Sequence, residues 1–218
     1  MKPIRDHVAK DLGLTIVADE VYTPPLADAT TLVQKIRSGR PDFIVCQSTN
    51  VGDDKLLLDK FAERGITAST VPLVGGGGHW TVPELMKMAG KEHLEGMIVG
   101  LANWPGKDIG DLEKRFVAKT NEPWFGHDSI FPYAHVMIFK EALERTASTD
   151  RKKLGEMMHK IDLKDGPAKL FPDGRVKYDD NGRRVGAELC IVQWQKGRPV
   201  AVHPESIAVA KAVWPKLS

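Results

Sequence analysis

The sequence predicts an α/β fold built on a parallel β-sheet. Three features of the 218-residue chain support this prediction. Short apolar runs alternate with amphipathic helical segments over residues 14–101, a pattern that is typical of βαβ units with right-handed crossovers. The chain opens on a helix-like segment with no strand before it, as if a βα unit were entered halfway. Hairpin turn signals become frequent only after residue 166.

The first elements are indicated by apolar spacing and by chain-breaking residues. Residues 3–12 carry apolar side chains every four positions and end at Gly13, which predicts one amphipathic helix. Residues 14–18 are rich in β-forming residues and predict a strand that ends near Tyr22. Asp28 is placed to cap the next helix, which stops at Gly39.

Further strands and helices alternate up to residue 101. Residues 43–46 form a continuous apolar run, which predicts a strand buried on both faces. The other elements of this part are a helix through Phe61 that ends at Gly65, a strand over residues 66–74, a short helix over 82–89 and a fourth strand over 97–101.

The pattern changes after Pro105. Ile109, Leu112 and Phe116 mark one helix, and Ser129 is placed to cap a longer one. This longer helix is apolar on most sides, so it must be buried against something larger, yet residues 106–160 offer no sheet to cover it. We therefore expect its partner sheet to come from another chain or to be absent from this one.

Turns and β-rich runs dominate the rest of the chain. The strongest strand signal covers residues 187–194, and residues 206–214 predict a closing helix. The turn signals that separate the β-rich runs are Pro172-Asp173-Gly174, Asp180-Asn181-Gly182 and Lys196-Gly197.

Composition excludes several classes of protein. A net charge of +2 with 28% charged residues argues against nucleic acid or an anionic membrane as the main partner. No apolar run approaches the ~20 residues of a spanning helix, so membrane insertion is not expected. The opening residues lack the apolar region of a signal peptide, so the chain as written is expected to stay in the cytoplasm. Cys46 and Cys190 lie in apolar runs and are expected to be buried, free thiols.

No motif indicates catalysis, a cofactor or a metal. The run of glycines at 75–78 lacks the lysine of a P-loop and the last glycine of a dinucleotide fingerprint. It fits either a loop that lets backbone approach a ligand or a permissive surface turn. Histidines do not occur at metal-ligand spacing, and no base is placed beside Cys46. Asp53 and Asp54 are interpreted as a helix-start pair.

Candidate ligand contacts lie where the predicted strands end. In open parallel sheets ligands bind outside the carboxyl ends of the strands. Aromatic walls with a few polar groups suit a small organic solute, although Trp104 equally fits a hinge or packing residue and His79 an ordinary loop position. The candidate residues are Tyr22, Ser48, Thr49, Asn50, Gly76, Gly77, His79 and Trp80, followed by Asn103 and Trp104.

Three stretches together resemble one known family. The first contains residues 18–22, the Pro24-Pro25 break, Asp28, Lys35-Ile36 and Pro41-Asp42; the second is residues 139–144; the third is residues 182–184, 191–195, Gly197, Val200 and His203-Pro204. Their order and spacing resemble the type I periplasmic binding proteins of branched-chain amino acid ABC transporters, the leucine-binding family.

This resemblance implies a two-lobed binding protein. Residues 1–105 would be the second lobe without its first strand, residues 106–165 helices of the first lobe, and residues 166–218 hinge strands, hairpins and a closing helix. Asn103 and Trp104 would lie at a hinge crossing, and ligand contacts would fall at 48–50 and within 73–79. Amino acid binders of the family offer an acid in the latter region, whereas this chain has no Asp or Glu between Gly65 and Glu84.

The resemblance also implies a function in uptake. The solute would be a branched-chain amino acid, an amide or an aromatic acid, delivered to the membrane permease of an ABC transporter without any catalysis or cofactor. Full-length members are periplasmic and begin with a signal peptide and the first strands of lobe one, so this chain is expected to be a fragment that binds solute weakly or not at all. A sensory domain on the same fold would need a fused signalling segment, and a small α/β enzyme would need clustered catalytic groups.

Overall fold

A five-stranded sheet forms the centre of the computed structural model, which describes residues 7–106 and 109–214. Its neighbours in space are β1 (Ile44–Cys46), β2 (Leu73–Gly76), β3 (Ile98–Leu101), β6 (Cys190–Gln195) and β7 (Arg198–His203), in that order. β1, β2 and β3 are parallel, and β6 and β7 join β3 as an antiparallel hairpin. The predicted α/β class with a parallel sheet is therefore confirmed. A separate two-stranded sheet pairs β4 (Asp162–Leu163) with β5 (Val176–Lys177).

Eight helices connect or flank these strands within the described residues. Most begin or end where the sequence places a cap or a glycine; Asn50, for example, accepts a hydrogen bond from the Asp53 amide at the start of α3. No helix of the described chain has the length and apolar character needed to cross a bilayer. The helices are α1 (Ala9–Asp11), α2 (Thr30–Ser38), α3 (Val51–Glu63), α4 (Pro83–Ala89), α5 (Lys91–Leu94), α6 (Gly110–Thr120), α7 (His127–Thr146) and α8 (Arg151–Lys160).

The opening of the chain differs from the sequence prediction. Part of the predicted helix over residues 3–12 lies outside the described residues, and α1 occupies only its last turn before Gly13. The predicted strand at residues 14–18 is wrong, because this segment pairs with no strand of the sheet. Its composition favours a strand, but a strand also requires a neighbouring edge with which to form hydrogen bonds.

Two strands of the main sheet are shorter or more exposed than predicted. β2 begins only at Leu73, because Thr70 bonds to the Gly65 carbonyl and to Thr67 and so holds residues 67–70 in a turn. β1 is not buried on both faces: Ile44 and Cys46 are buried, whereas Val45, which points to the opposite face, is 36% exposed. The α7 start was also misplaced, since α7 begins at His127 after Gly126 and Ser129 lies inside its first turn.

The predicted closing helix at residues 206–214 is also wrong. Apart from a turn at residues 205–207, this segment has no helical structure. Two glutamines of β6 bind its backbone instead: Gln193 bonds to both the amide and the carbonyl of Val213, and Gln195 bonds to the Lys211 carbonyl at 2.9 Å. Backbone groups that bond to these side chains cannot form the hydrogen bonds of a helix.

Two separate hydrophobic clusters stabilise the chain. The main cluster surrounds the five-stranded sheet and includes Phe61 and Trp194, whereas the second lies among α7, α8 and the small sheet. α7 faces the second cluster with Ile130, Ala134, Ile138 and Ala142, spaced four residues apart. Its other side remains exposed at Val136 (65%) and Phe139 (48%), so the apolar helix is covered on one side only.

Candidate functional site

Polar side chains converge where β1, β2 and β3 end. Ser48 follows β1, His79 follows β2 and Asn103 follows β3, so all three lie at the carboxyl edge of the parallel sheet. The start of α7 closes this edge from the side: His127 Nδ1 lies 2.9 Å from the Asn103 carbonyl oxygen. We call this region the carboxyl edge.

Ser48, His79 and Asp54 form a buried polar cluster. The Ser48 hydroxyl donates a short hydrogen bond to Asp54 Oδ1 and lies 3.1 Å from His79 Nε2. His79 Nε2 is also 3.5 Å from Asp54 Oδ2. Asp54 reaches this position because the Asn50 cap fixes the first turn of α3 directly behind Ser48. The sequence interpretation placed Asp54 correctly at a helix start but missed its burial and its contacts.

Burial suppresses the charges of the cluster, so that Asp54 is only partly ionised near pH 7. Burial raises the pKa of the Asp54 carboxyl to about 7, although the hydrogen bond from Ser48 acts in the opposite direction. Burial also lowers the pKa of His79, so its imidazole is neutral around pH 7. Asp54 has no exposed side-chain surface, whereas 21% of the His79 side chain is exposed. His79 is therefore the member of the cluster that a solute can reach.

Tyr22 and Asp53 extend the polar cluster away from the strand ends. Burial, followed by the charge of Asp53, raises the pKa of Tyr22 to about 12. Asp53 is itself buried and accepts a hydrogen bond from the Leu26 amide at 2.9 Å. This bond ties the segment after the Pro24-Pro25 break to the first turn of α3. Tyr22 thus contributes a neutral phenol beside a buried carboxylate.

Asn103 carries buried polar atoms with no hydrogen-bond partner among the described residues. The residue has no exposed surface, and neither Oδ1 nor Nδ2 of its amide is bonded. Leaving a buried amide unsatisfied costs about 1–3 kcal/mol per group, so such groups in native proteins need an explanation. A solute head group at the carboxyl edge is one partner that could satisfy them.

The glycine run connects β2 to the turn that carries His79. Gly77 has a φ of +110°, which residues with a side chain rarely adopt, and it turns the chain sharply into a 3₁₀ segment at Gly78–Thr81. The Thr81 hydroxyl closes this segment with a bond to the Gly78 carbonyl at 2.7 Å. Gly78 packs so closely against His127 and Asp128 that a methyl group there would overlap both. These glycines let β2 and α7 approach one another.

Gly75 is expected to tolerate no side chain. A Cβ at Gly75 would lie 2.7 Å from Trp80 Cγ and 2.8 Å from Met97 Cε, and both side chains are fully buried. We expect Gly75→Ala to lower the free energy of unfolding by about 1–3 kcal/mol through overpacking. Gly100→Ala on β3 is the matched control, because its Cβ would meet nothing within 4 Å. Equal stabilities of the two variants in urea denaturation would contradict this packing.

Tryptophans fix the loop that carries His79. Trp194 Nε1 donates to the Trp80 carbonyl at 2.9 Å, and Trp124 Nε1 donates to the Thr81 carbonyl at 3.0 Å. The two donor rings meet edge to face at 5.7 Å. Trp80 itself is fully buried beneath Gly75, so its ring lies in the core and not on the wall of a cleft where the sequence interpretation placed it.

The other residues named from the sequence lie at or near the same edge but in different roles. Thr49 is exposed, Asn50 is used as the α3 cap, and Trp104 is 6% exposed within the main hydrophobic cluster. Gly76 ends β2, where a methyl group would overlap the Gln47 side chain. The contact of His127 with the Asn103 carbonyl could not be read from the sequence, because it depends on where the start of α7 lies relative to the end of β3.

The carboxyl edge has the features of a binding surface. Both cysteines are buried, and burial raises the pKa of Cys46 to about 12, so its thiol is not an activated nucleophile. The described residues contain no group of three or more histidine, cysteine or acidic side chains placed to hold a metal ion. What the edge offers is the Ser48 hydroxyl beside the His79 imidazole, and the Asn103 amide after the neighbouring strand β3.

Comparison with known proteins identifies similar chains. The sequence profile described as periplasmic binding protein matches residues 6–199. A Leu/Ile/Val-binding protein homolog 8 of Brucella melitensis is 26% identical over 212 residues, covering 93% of this chain and 51% of the relative. The chain thus spans about half the length of the curated relatives it matches.

Solved structures share the fold at low sequence identity. A leucine-binding protein of Thermotoga maritima superimposes with a TM-score of 0.73 at 18% identity, covering 92% of this chain and 54% of that one. A solute-binding protein of an R. palustris ABC transporter, solved in complex with benzoate, gives 0.70 at 19% identity, covering 98% and 56%. In each case about half of the larger protein matches this chain.

Proposed function

The chain belongs to the periplasmic binding protein family, and on this premise we propose that it forms one wall of the solute-binding cleft of an ABC uptake system. The observation that supports this proposal is the convergence of Ser48, His79 and Asn103 at the carboxyl edge. In this proposal residues 1–105 act as most of one lobe, residues 106–165 as helices of the other, and residues 166–218 as the crossing between them.

The carboxyl edge favours a solute without an ammonium group. No acidic residue lies between Gly65 and Glu84, and Asp54 is partly protonated near neutral pH. The negative charge beside His79 comes from Asp128 and from the ionised fraction of Asp54, and not from the segment in which amino acid binders of the family offer an acid. A carboxylate or an amide, by contrast, could bond to the exposed part of the His79 imidazole, and also to the Asn103 amide after a movement that uncovers this fully buried group. We propose an amide or an aromatic acid as solute, ahead of a simple amino acid.

In this function the protein makes and breaks no covalent bond. The solute is held by hydrogen bonds at the carboxyl edge, carried in the periplasm where the family acts, and released to a membrane permease. Lobe closure around the solute would supply the change that a permease detects. Binding energy, and not turnover, is therefore the quantity to measure.

An NMR titration tests the proposed binding surface. We expect benzoate or benzamide, added to the ¹⁵N-labelled chain, to shift the amide resonances of residues 48–50, 77–80 and 103, with isoleucine giving smaller shifts. One wall of a cleft buries little of a solute, so we expect dissociation constants on the order of 1 mM. The proposal would be abandoned if none of the three compounds shifted these resonances, or if the shifts lay elsewhere.

Asn103 is expected to matter for affinity and little for stability. Because its amide has no hydrogen-bond partner among the described residues, Asn103→Ala breaks none of the described side-chain bonds. We expect the affinity for the solute that binds best to fall about tenfold, as when one buried hydrogen bond is lost. Asn181→Ala, in an exposed turn, is the control and should leave the affinity unchanged. Equal affinities of the two variants would remove Asn103 from the site.

A further inference from the structure

Asp54 is the fully buried member of the cluster that it forms with Ser48 and His79. A solute at the carboxyl edge can reach His79, whose side chain is 21% exposed, but cannot reach Asp54, whose side chain has no exposed surface. We propose that Asp54 nevertheless determines which solutes bind, because it sets, through Ser48, whether His79 offers them a hydrogen-bond donor or an acceptor. This role of Asp54 rests on the proposed function and adds a residue that determines specificity without touching the solute.

The Ser48 hydroxyl links Asp54 to one nitrogen of His79. It donates a hydrogen bond to Asp54 Oδ1 and lies 3.1 Å from His79 Nε2. A hydroxyl has only one hydrogen to donate. While that hydrogen is directed to the ionised Asp54, the Ser48 oxygen can only accept a bond from His79, so Nε2 carries the imidazole proton. Nδ1 is then the unprotonated nitrogen of the neutral ring.

A proton on Asp54 reverses this arrangement. If the proton is on Oδ1, Asp54 donates to the Ser48 oxygen, and the Ser48 hydroxyl donates to His79 Nε2. If the proton is on Oδ2, which has no hydrogen-bond partner among the described residues, Nε2 lies 3.5 Å away as the acceptor. In both cases the imidazole proton moves to Nδ1 by exchange with water. Asp54 binds one proton from solvent, and His79 keeps one proton and stays neutral.

Nδ1 is the nitrogen of His79 that remains available to a solute. It makes none of the hydrogen bonds found between the described residues. Gly77 leaves this side of the ring uncovered, since a Cβ at Gly77 would lie 3.0 Å from Nδ1 and 2.8 Å from Cε1. As a donor, Nδ1 can bind a carboxylate; as an acceptor, it can bind the N–H of an amide. The negative charge of ionised Asp54 further disfavours a carboxylate.

The groups around Asp54 place its titration near neutral pH. Burial raises the pKa of Asp54 to about 7; the hydrogen bond from Ser48 opposes this rise, and the charge of Asp53 in the same helical turn adds to it. Tyr22 and Cys46 also interact with the charge of Asp54. Burial raises the pKa of each of these two groups to about 12, so neither ionises near pH 7.

His79 contributes little charge of its own near neutral pH. Burial lowers its pKa from the ordinary value of 6.5, although the charge of Asp128 on α7 acts in the opposite direction. Between about pH 6.5 and about pH 8 the imidazole is therefore mostly neutral, and Asp54 is the member of the cluster that changes its protonation. We expect the site to prefer carboxylates at the lower pH and hydrogen-bond donors at the higher pH.

The imidazole ¹⁵N resonances of His79 test the effect of Asp54 without any solute. Protonated and unprotonated ring nitrogens differ clearly in ¹⁵N shift, so these resonances identify the tautomer. In the wild type we expect Nδ1 to carry the proton near pH 6.5 and Nε2 to carry it near pH 8, with no such change in Asp54→Asn. Asp53→Asn is the matched control from the same turn. It should keep the change but move it to lower pH, because it removes a charge that raises the pKa of Asp54.

The affinities for benzoate and benzamide test the specificity. Benzoate stays ionised and benzamide stays neutral across this pH range, so neither solute changes its charge. In the wild type we expect the affinity for benzoate relative to benzamide to fall about fivefold between pH 6.5 and pH 8, following the protonated fraction of Asp54. In Asp54→Asn this ratio of affinities should stay constant.

Three results would overturn the proposal. One is a His79 tautomer that is the same at both pH values, and another is a change of tautomer that is equally large in Asp54→Asn. The third is an affinity ratio that stays constant in the wild type while both solutes bind. If neither solute binds, the proposed function itself fails, and the role of Asp54 in specificity fails with it even where the tautomer changes. If Asp54→Asn does not fold, Asp53→Asn decides, because an unmoved transition would exclude Asp54 as its source.

Discussion

Replacing Trp194 with alanine is expected to lower the free energy of unfolding by about 3–5 kcal/mol, the largest single effect we anticipate in this chain. Trp194 lies on β6 with no exposed surface and packs edge to face on Trp124. Its indole also donates a hydrogen bond to the Trp80 carbonyl. The substitution therefore leaves a cavity and also leaves this buried carbonyl oxygen without its donor. Urea denaturation followed by circular dichroism measures the loss.

Two further variants separate packing from hydrogen bonding. Trp194→Phe keeps much of the ring but removes the donor, and we expect it to cost about 1–3 kcal/mol. Trp214→Ala is the control, because Trp214 is 50% exposed and its loss should cost much less stability than the loss of the fully buried Trp194. Because the Trp80 carbonyl adjoins His79, Trp194→Phe should also shift the His79 resonances. A neutral effect of Trp194→Phe on stability would show that the indole bond contributes little.

The parallel part of the fold could be predicted because its signals are local. The apolar runs at β1 and β3 and the glycine after α4 each mark an element without reference to the rest of the chain. The errors occur where distant groups decide the structure. Residues 14–18 have strand propensity but no edge to join, and residues 206–214 are held by the side chains of Gln193 and Gln195.

The candidate site was predictable in position but not in chemistry. Knowing that β1 and β2 are parallel is enough to place Ser48 and His79 at one edge. The burial of Asp54 is not visible in the sequence, because an acid in the first turn of a helix is usually an exposed partner of the helix dipole. The position of Trp80 was also predicted wrongly. A tryptophan in a loop suggests the wall of a binding cleft, but Gly75 has no side chain and so leaves space for the Trp80 ring inside the core.

The resemblance to leucine-binding proteins is confirmed by the family match and by the shared fold. The motifs on which this resemblance rests have different structural roles. Gln193 and Trp194 belong to the run on β6, and each side chain donates a hydrogen bond to a distant segment. Gln193 donates to the Val213 carbonyl, and Trp194 donates to the Trp80 carbonyl. Pro41-Asp42, by contrast, lies just before β1, separated from it by Phe43, and lines a cavity beside that strand.

The Asp54 carboxyl is expected to lower the stability of the chain as the pH rises from about 4 to about 7, and Asp54→Asn should remove that contribution. The pKa of Asp54 is raised by burial from 3.8 to about 7, so in this window the folded chain binds a proton that the unfolded chain has released. Stability falls wherever the folded state binds more protons, at up to about 1.4 kcal/mol per pH unit. Above pH 7 both states are ionised and the dependence levels off.

Comparing the wild-type chain with Asp54→Asn separates the titration of Asp54 from that of neighbouring groups. His79 has a lowered pKa and makes stability rise with pH, but it is present in both proteins and largely cancels in their difference. Asparagine keeps an oxygen for the Ser48 hydroxyl, so we expect similar stabilities near pH 4 and a variant more stable by about 2–4 kcal/mol near pH 8. The exposed Asp111→Asn is the control and should follow the wild type. If Asp54→Asn retained the wild-type slope, Asp54 would have to be ionised in the folded chain, and the carboxyl edge would then suit an ammonium group after all.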